Sequence, residues 1–150
     1  MNGPAFARIA VLVALSAGCQ THAASCPDDP SAAAAYAAWT ARHLTDYRFV
    51  WQRTCFCLPD AVQPIVVTVR HGEIVSATDR AGTPVSADIR NDLLTIDALY
   101  RRAAAARCTA DEVRVTASQD GVPSNFFIDP RRGVADDEYS VAISEFSAAP

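Results

Sequence analysis

Four cysteines in the body of this 150-residue chain are the first residues whose type and spacing could do chemistry: Cys26, Cys55, Cys57 and Cys108. Cys55 and Cys57 are two positions apart, so on an extended strand both side chains would lie on one face. Pairing them with each other makes a small strained ring, and geometry alone favours distant partners. A bridge between Cys26 and Cys108 would close a loop of about 80 residues and stabilise the fold by roughly 4–5 kcal/mol. All three pairings stay open at this point, and closely spaced cysteines can also form a redox pair.

The second group able to do chemistry is acidic and lies near the C-terminal end of the chain. It consists of Asp129, Asp136, Asp137 and Glu138. Calcium prefers several oxygen ligands around one point, and Asp129 and Asp137 could converge across a turn. Such carboxylates more often bond turn amides or pair with local arginines, here Arg131 and Arg132. We therefore expect a structural acidic turn, with a calcium-stabilised site as the alternative.

The sequence lacks the motifs of several common catalytic sites. The three histidines, His22, His43 and His71, are scattered and do not have the spacing of zinc ligands. A Gly-x-Ser-x-Gly nucleophile elbow and a glycine-rich phosphate loop are also missing. The sequence accordingly predicts no catalytic residue and no cofactor.

The first nineteen residues have the pattern of an export signal. Arg8 precedes the apolar run 9–17, which is too short for a bilayer core of ~30 Å that needs about twenty helical residues. Ser16-Ala17-Gly18-Cys19 then resembles a bacterial lipobox, in which the cysteine receives lipid. We expect lipidation of Cys19, with cleavage near residues 21–23 and a soluble periplasmic or secreted protein as the alternative. Gln20 is not the Asp associated with retention at the inner membrane, which favours the periplasmic face of the outer membrane.

Composition limits the partners of the folded part. Half of the residues are apolar and a fifth are charged, which is typical of a folded domain rather than a disordered tail. The formal net charge is −4, whereas a dedicated nucleic-acid binder needs a basic surface that displaces counterions. We expect no nucleic-acid partner.

Periodicity predicts the elements that must position these residues. Asp29 and Pro30 open a helix over 31–44, and a period of two from Tyr47 predicts a long strand that ends at 58–59. The ranges 65–70 and 73–78 form a hairpin around His71-Gly72, and 82–90 is a polar connection. Thr95 caps a second helix, and three further strands follow, near 113–118, 126–129 and 139–143.

This order, α-β-β-β-α-β-β-β, predicts an α+β fold in two layers. Short turns between strands favour an antiparallel sheet of about six strands, with both helices on one face. The expected organisation is a signal peptide over 1–19, a short tether over 20–30 and one domain over 31–147.

A family resemblance appears in the order of several short motifs. They are Asp46-Tyr47-Arg48-Phe49, Cys55-Phe56-Cys57, Val67-Thr68-Val69 with Gly72, Thr95-Ile96 with Leu99-Tyr100, Val113-Arg114-Val115, Gly121-Val122-Pro123 with Ile128-Asp129, and Asp136-Asp137-Glu138. Together they resemble a bacterial family of exported proteins and lipoproteins known as domain of unknown function 6174, over residues from about 33 to 146. The resemblance implies no activity, because the family has none assigned.

Two departures from the family pattern are informative. The family usually has Tyr-Asp before a Gly-Tyr-Pro turn, whereas this chain has Ala117-Ser118 followed by Gly121-Val122-Pro123. Cys26 and Cys108 are additional to the family's Cys-Phe-Cys pair. The resemblance therefore implies bridges Cys26–Cys108 and Cys55–Cys57, which reverses the preference from geometry.

These observations lead to one functional expectation and two rivals. We expect a non-catalytic, lipid-anchored protein of the cell envelope that contacts the membrane through its anchor and binds an unknown envelope protein or has a structural role. The rivals are a thiol–disulfide redox protein that uses Cys55 and Cys57, and a calcium-stabilised binding module at the acidic turn.

Overall fold

A six-stranded antiparallel sheet forms the centre of the computed structural model, which describes residues 26, 29–55, 59–134 and 137–148. The helices are α1 (Pro30–Ala41), α2 (Pro59–Val62), α3 (Ala87–Asp92) and α4 (Ile96–Ala106). The strands are β1 (Tyr47–Thr54), β2 (Ile65–Arg70), β3 (Glu73–Thr78), β4 (Glu112–Ala117), β5 (Pro123–Asp129) and β6 (Tyr139–Ala148). The predicted α+β class is confirmed.

The strand order is β3-β2-β1-β6-β5-β4. Each half of the chain forms a three-stranded meander, and the two meanders join where the first strand pairs with the last. In that central pair Trp51 lies opposite Ile143 and Arg53 opposite Val141. A bulge between Arg48 and Val50 changes the register near one end of the pair.

The long helices α1 and α4 pack on one face of the sheet. Trp39 of α1 meets the rings of Tyr47 and Phe146 edge to face, with ring centroids 5.3 and 5.7 Å apart. Tyr100 of α4 meets Phe126 in the same way at 5.2 Å. Edge-to-face pairs of this kind add to the free energy gained from burial of the rings.

The start of α4 agrees with its sequence signals. The Thr95 side chain accepts a hydrogen bond from the Ala98 N–H, as an N-cap should. The Ile96 N–H donates to the Tyr47 hydroxyl at 3.2 Å, which ties the helix to the beginning of β1. The predicted buried stripe of α4 is confirmed at Ile96, Leu99, Tyr100 and Ala103.

The predicted hairpin is also confirmed. Strands β2 and β3 have the expected bounds, and Arg70 pairs with Glu73 while Val69 pairs with Ile74. Gly72 takes φ +79°, in the left-handed region that such a tight turn requires.

Several boundaries differ from the prediction. Helix α1 ends at Ala41 and not at 44, and His43 takes φ +50° just beyond it. Strand β1 ends at Thr54, so Cys55 follows the strand instead of lying within it. The connection predicted over 82–90 contains the first part of α3, which begins because the Ser86 hydroxyl accepts from the Ile89 N–H.

One turn packs directly against the backbone of α1. Gly121 takes φ +77°, and a Cβ atom there would lie 2.3 Å from the Trp39 nitrogen and 2.4 Å from the Ala35 oxygen. The Tyr100 hydroxyl donates to the Gly121 carbonyl at 2.9 Å. Only glycine fits this position, since it alone has both the left-handed freedom and the missing Cβ.

The helices of the described ranges are all too short or too polar to cross a lipid bilayer.

Candidate functional site

A cleft of about 220 Å³ opens where β1 ends and β6 begins, beneath the segment that joins α3 to α4. Arg53, Arg102 and Tyr139 form its charged and polar side, with Asp92 at the edge. Apolar residues make up most of the remaining lining: Trp51, Ile65 and Leu93 are almost fully buried, and Ala61, Ile89 and Leu94 are partly exposed. The cleft therefore combines two cations with partly exposed apolar side chains.

Three separate elements bring the polar side chains together. Arg53 lies two residues beyond Trp51 on β1, so both side chains point to the face covered by the helices. Tyr139 is the first residue of β6 and lies two residues before Val141, the pairing partner of Arg53. Arg102 is exposed on α4, next to the buried Ala103.

The two arginines share one aromatic ring. The guanidinium carbon of Arg102 lies 4.0 Å from the centroid of the Tyr139 ring, and that of Arg53 lies 5.9 Å from it. Arg53 also forms an ion pair of 3.5 Å with Asp92, whose side chain is 73% exposed. Since the cleft holds two cations and one exposed carboxylate, its net charge is positive.

Burial raises the pKa of Tyr139 to about 12, against the lowering effect of Arg102 and Arg53 and with a small raising effect from Asp92. The phenol therefore keeps its proton at neutral pH and acts there as a hydrogen-bond donor rather than as a base.

Two buried polar atoms of the cleft have no hydrogen-bond partner within the described part of the chain. They are the Nε atom of Arg53 and the hydroxyl oxygen of Tyr139. Arg102 likewise has neither an ion pair nor a hydrogen bond among the described residues, and its contact is with the Tyr139 ring. The two buried atoms are closed to solvent, so the groups that can reach a ligand are the guanidinium ends of Arg53 and Arg102, which are suited to an oxygen anion.

The acidic turn holds its carboxylates in local contacts. Asp129 is buried, and its side chain accepts a hydrogen bond of 3.0 Å from the Arg131 N–H. Asp137 contacts the Arg131 side chain instead, with 3.2 Å between its Oδ2 atom and Nε. Asp129 therefore bonds the backbone of Arg131, and Asp137 bonds its side chain.

The other acidic candidates add little to this turn. Glu138 is half-buried directly before β6, and Asp136 lies outside the described residues. No group of three or more His, Cys, Asp or Glu residues in the described ranges is arranged to hold a metal ion. The side-chain oxygen Oδ1 of Asp137 is buried without a hydrogen-bond partner among the same residues.

The three described cysteines, Cys26, Cys55 and Cys108, lie outside the helices and strands, in the segments next to them. Cys26 and Cys108 form a disulfide that links the chain before α1 to the chain after α4, which is the pair that the family resemblance implied. An ion pair of 2.9 Å between Asp29 and Arg107 lies beside it. Cys55 is also disulfide-bonded. Cys57 lies outside the described residues, as does Cys19 with the whole predicted signal.

Sequence reasoning missed the cleft, although one signal for it was present. Arg53 continues the alternation of β1, so its side chain is on the same face of the strand as three buried aromatic residues, Tyr47, Phe49 and Trp51. A charged residue on the apolar face of a strand is informative, because burying a charge is costly without a partner. No comparable local signal marks Arg102, which is one of two consecutive arginines on α4.

Comparison with known proteins gives one match. Residues 31–148 match the family model described as a family of unknown function, DUF6174. None of the curated proteins and none of the solved structures matches the chain.

Proposed function

The chain belongs to the DUF6174 family, and we propose that it is a non-catalytic, lipid-anchored domain of the cell envelope that binds another envelope protein. The observation that carries the binding role is the cleft beside Tyr139, where the partly exposed Arg53 and the exposed Arg102 present guanidinium groups to a partner. Binding sites typically combine apolar walls with a few convergent polar groups, as this cleft does.

The non-catalytic part of the proposal is supported by the chemistry of the cleft. Acid–base catalysis at neutral pH needs a group that exchanges protons there, and catalysis by a nucleophile needs a base beside it. The cleft instead offers guanidinium groups, which stay charged, and a phenol whose pKa is raised to about 12 by burial. These groups are suited to holding an anion in place.

Export and anchoring are supported by the sequence and by one disulfide. The apolar run 9–17 and the small residues before Cys19 are typical of a processed lipoprotein. The Cys26–Cys108 disulfide is typical of an oxidising compartment outside the cytoplasm. Two acyl signals on the amino-terminal cysteine would anchor the domain firmly, and we place it on the periplasmic face of the outer membrane.

Mass spectrometry of the intact protein from the envelope fraction tests the anchor. The expected product begins at Cys19 and carries the mass of its acyl chains. A soluble periplasmic species that begins at Ala24 without acyl mass would contradict this part of the proposal.

Photo-crosslinking in intact cells tests the binding role. A photoreactive residue in place of the exposed Asn91, which lines the cleft, should give one protein adduct in the envelope fraction. The same residue in place of Glu73, which is exposed on β3, is the matched control and should give none. The adduct should disappear in Arg102→Gln and persist in Arg101→Gln, a change at the neighbouring exposed arginine. Equal adducts at both positions would argue against binding at the cleft.

A further inference from the structure

We propose that the cleft beside Tyr139 binds a carboxylate attached to a short apolar group. The inference rests on the proposed binding role and names its ligand class. Its basis is the combination of two guanidinium groups and partly exposed apolar side chains within one cavity of about 220 Å³.

The choice of an anion follows from the two guanidinium groups. The Arg53 side chain is partly exposed and Arg102 is exposed, and both guanidinium groups lie against the Tyr139 ring. A carboxylate accepts several hydrogen bonds at once, and charge-assisted bonds to arginine are stronger than neutral ones. A carboxylate bound between the two guanidinium groups would therefore give Arg102 the anionic partner that it lacks among the described residues.

The exposed Asp92 shows how a carboxylate already interacts with this end of the cleft. In its ion pair with Arg53 the Oδ2 atom lies 3.5 Å from a terminal nitrogen, which is longer than a hydrogen-bonded ion pair, and its side chain is 73% exposed. This carboxylate competes with a ligand for Arg53 and repels a second negative charge. Removing its charge should consequently strengthen ligand binding.

The size and lining of the cleft limit the rest of the ligand. Drug-sized ligands occupy pockets of about 300–1,000 Å³, so this smaller cleft takes a small molecule or the end group of a larger one. Ala61, Ile89 and Leu94 line the cleft as partly exposed apolar side chains, which favours a few apolar carbons next to the carboxylate. A free short-chain acid and the C-terminal carboxylate of a protein with an apolar last residue both have this chemistry.

The experiment is an NMR titration of the full chain in detergent, observed at the two tryptophan indole signals. Trp51 lines the cleft, whereas the Trp39 indole N–H donates to Asp97 in the core and serves as the internal control. The probes are hexanoate, N-acetyl-leucine with a free carboxylate, the neutral amide of each compound, and inorganic phosphate. The proposal expects saturable shifts of the Trp51 signal with at least one carboxylate, weaker shifts with its amide, and an unshifted Trp39 signal.

Comparison of the arms identifies the source of the carboxylate. Tighter binding of N-acetyl-leucine indicates the C-terminus of a partner protein, and tighter binding of hexanoate indicates a free acid. A preference for phosphate over both carboxylates, or equal binding of acids and amides, would overturn the proposal.

Two charge variants with opposite expected effects make the test specific. Arg102→Gln should weaken carboxylate binding about tenfold, because it removes a charge-assisted bond. Asp92→Asn should strengthen it about threefold, because it removes a nearby like charge. Arg101→Gln and Asp88→Asn are matched controls on the same two helices and should leave binding unchanged.

These variants also separate a binding site from a purely structural stack. If Arg102 serves only to cover the Tyr139 ring, Arg102→Gln lowers stability while no carboxylate shifts the Trp51 signal, and the proposal fails. If no carboxylate shifts the Trp51 signal but the protein is lipidated and gives the crosslinked adduct, the carboxylate proposal is refuted and the envelope-binding role is retained. Carboxylate binding by a protein that is not lipidated would refute the anchor alone.

Discussion

Replacement of Gly121 by alanine should destabilise the domain far more than replacement of another glycine with a similar backbone angle. A Cβ atom at Gly121 would lie 2.3 Å from the Trp39 nitrogen, 2.4 Å from the Ala35 oxygen and 2.8 Å from the Trp39 Cα. All three atoms belong to the backbone of α1, so they cannot move aside as a flexible side chain would. Either the helix or the turn has to shift.

The expected magnitude has two parts. The left-handed conformation costs a non-glycine residue about 1–2 kcal/mol, and forcing a methyl group into a packed contact costs about 1–3 kcal/mol. Gly121→Ala should therefore lower the free energy of unfolding by about 2–5 kcal/mol, a large part of the roughly 5–15 kcal/mol that is typical of a domain.

Gly82→Ala is the matched control. Gly82 takes φ +89°, but a Cβ atom there would have no neighbour within 4 Å. Only the conformational part applies, so the loss should be about 1–2 kcal/mol. The difference between the two variants isolates the steric conflict with α1.

Urea unfolding followed by tryptophan fluorescence measures both variants. Equal losses of stability would refute the close approach of the turn to α1. Tyr100→Phe provides a second measurement if Gly121→Ala does not fold. It removes the hydroxyl that donates to the Gly121 carbonyl and should cost about 1–2 kcal/mol without any steric conflict.

Three further predictions follow from other contacts. Replacing Cys26 and Cys108 together by serine should lower the free energy of unfolding by about 4–5 kcal/mol, because the disulfide joins residues that are 82 positions apart. A urea unfolding midpoint equal to that of the oxidised wild type would contradict this prediction. Burial raises the pKa of Tyr47 and of Tyr100 from 10.0 to about 12, so the free energy of unfolding should be unaffected by these tyrosines below pH 10 and should fall as the pH rises from 10 towards 12. Urea unfolding at alkaline pH measures this, and a free energy of unfolding that stays constant between pH 10 and 12 would contradict the prediction. Asp129→Ala and Asp137→Ala should each lower the melting temperature by an amount that corresponds to about 1 kcal/mol of stability, because each removes a contact with Arg131. Millimolar calcium or chelator should change none of the melting temperatures, and a wild-type melting temperature that rises with calcium would indicate a metal site instead.

The parts of the fold that were predictable are those where one local pattern determines the structure. The alternation over 65–70 and 73–78 with His71-Gly72 between them is enough to specify the hairpin and the two residue pairs next to its turn, but not the register shift between Thr68 and Val69. The cap at Thr95 and the apolar spacing that follows it specify α4 and its buried stripe. In both cases the residues that decide the structure are neighbours in the sequence.

The missed features depend on contacts between distant parts of the chain or on short segments. Helix α3 has six residues and none of them is buried, so it has no apolar stripe to recognise. The cleft needs Arg53, Arg102 and Tyr139 from three elements, and their meeting depends on the pairing of β1 with β6. The sequence-predicted sites at the cysteines and the acidic turn were easier to see because their members are close together or of a distinctive type.

The position of β1 and β6 at the centre of the sheet has a consequence for how the chain folds. The first strand and the last strand are neighbours, so the sheet is complete only after β6 has been made and has reached β1. Contacts between such distant segments make folding slow, because a long loop must close before the β1–β6 pair stabilises the sheet. Until then the β1-β2-β3 meander and the β4-β5 hairpin expose the edges of β1 and β5, on which other chains can pair. A chain that emerges amino-terminus first is therefore most prone to aggregation just before its last ten strand residues arrive, and a chaperone that covers the β1 edge would protect it best.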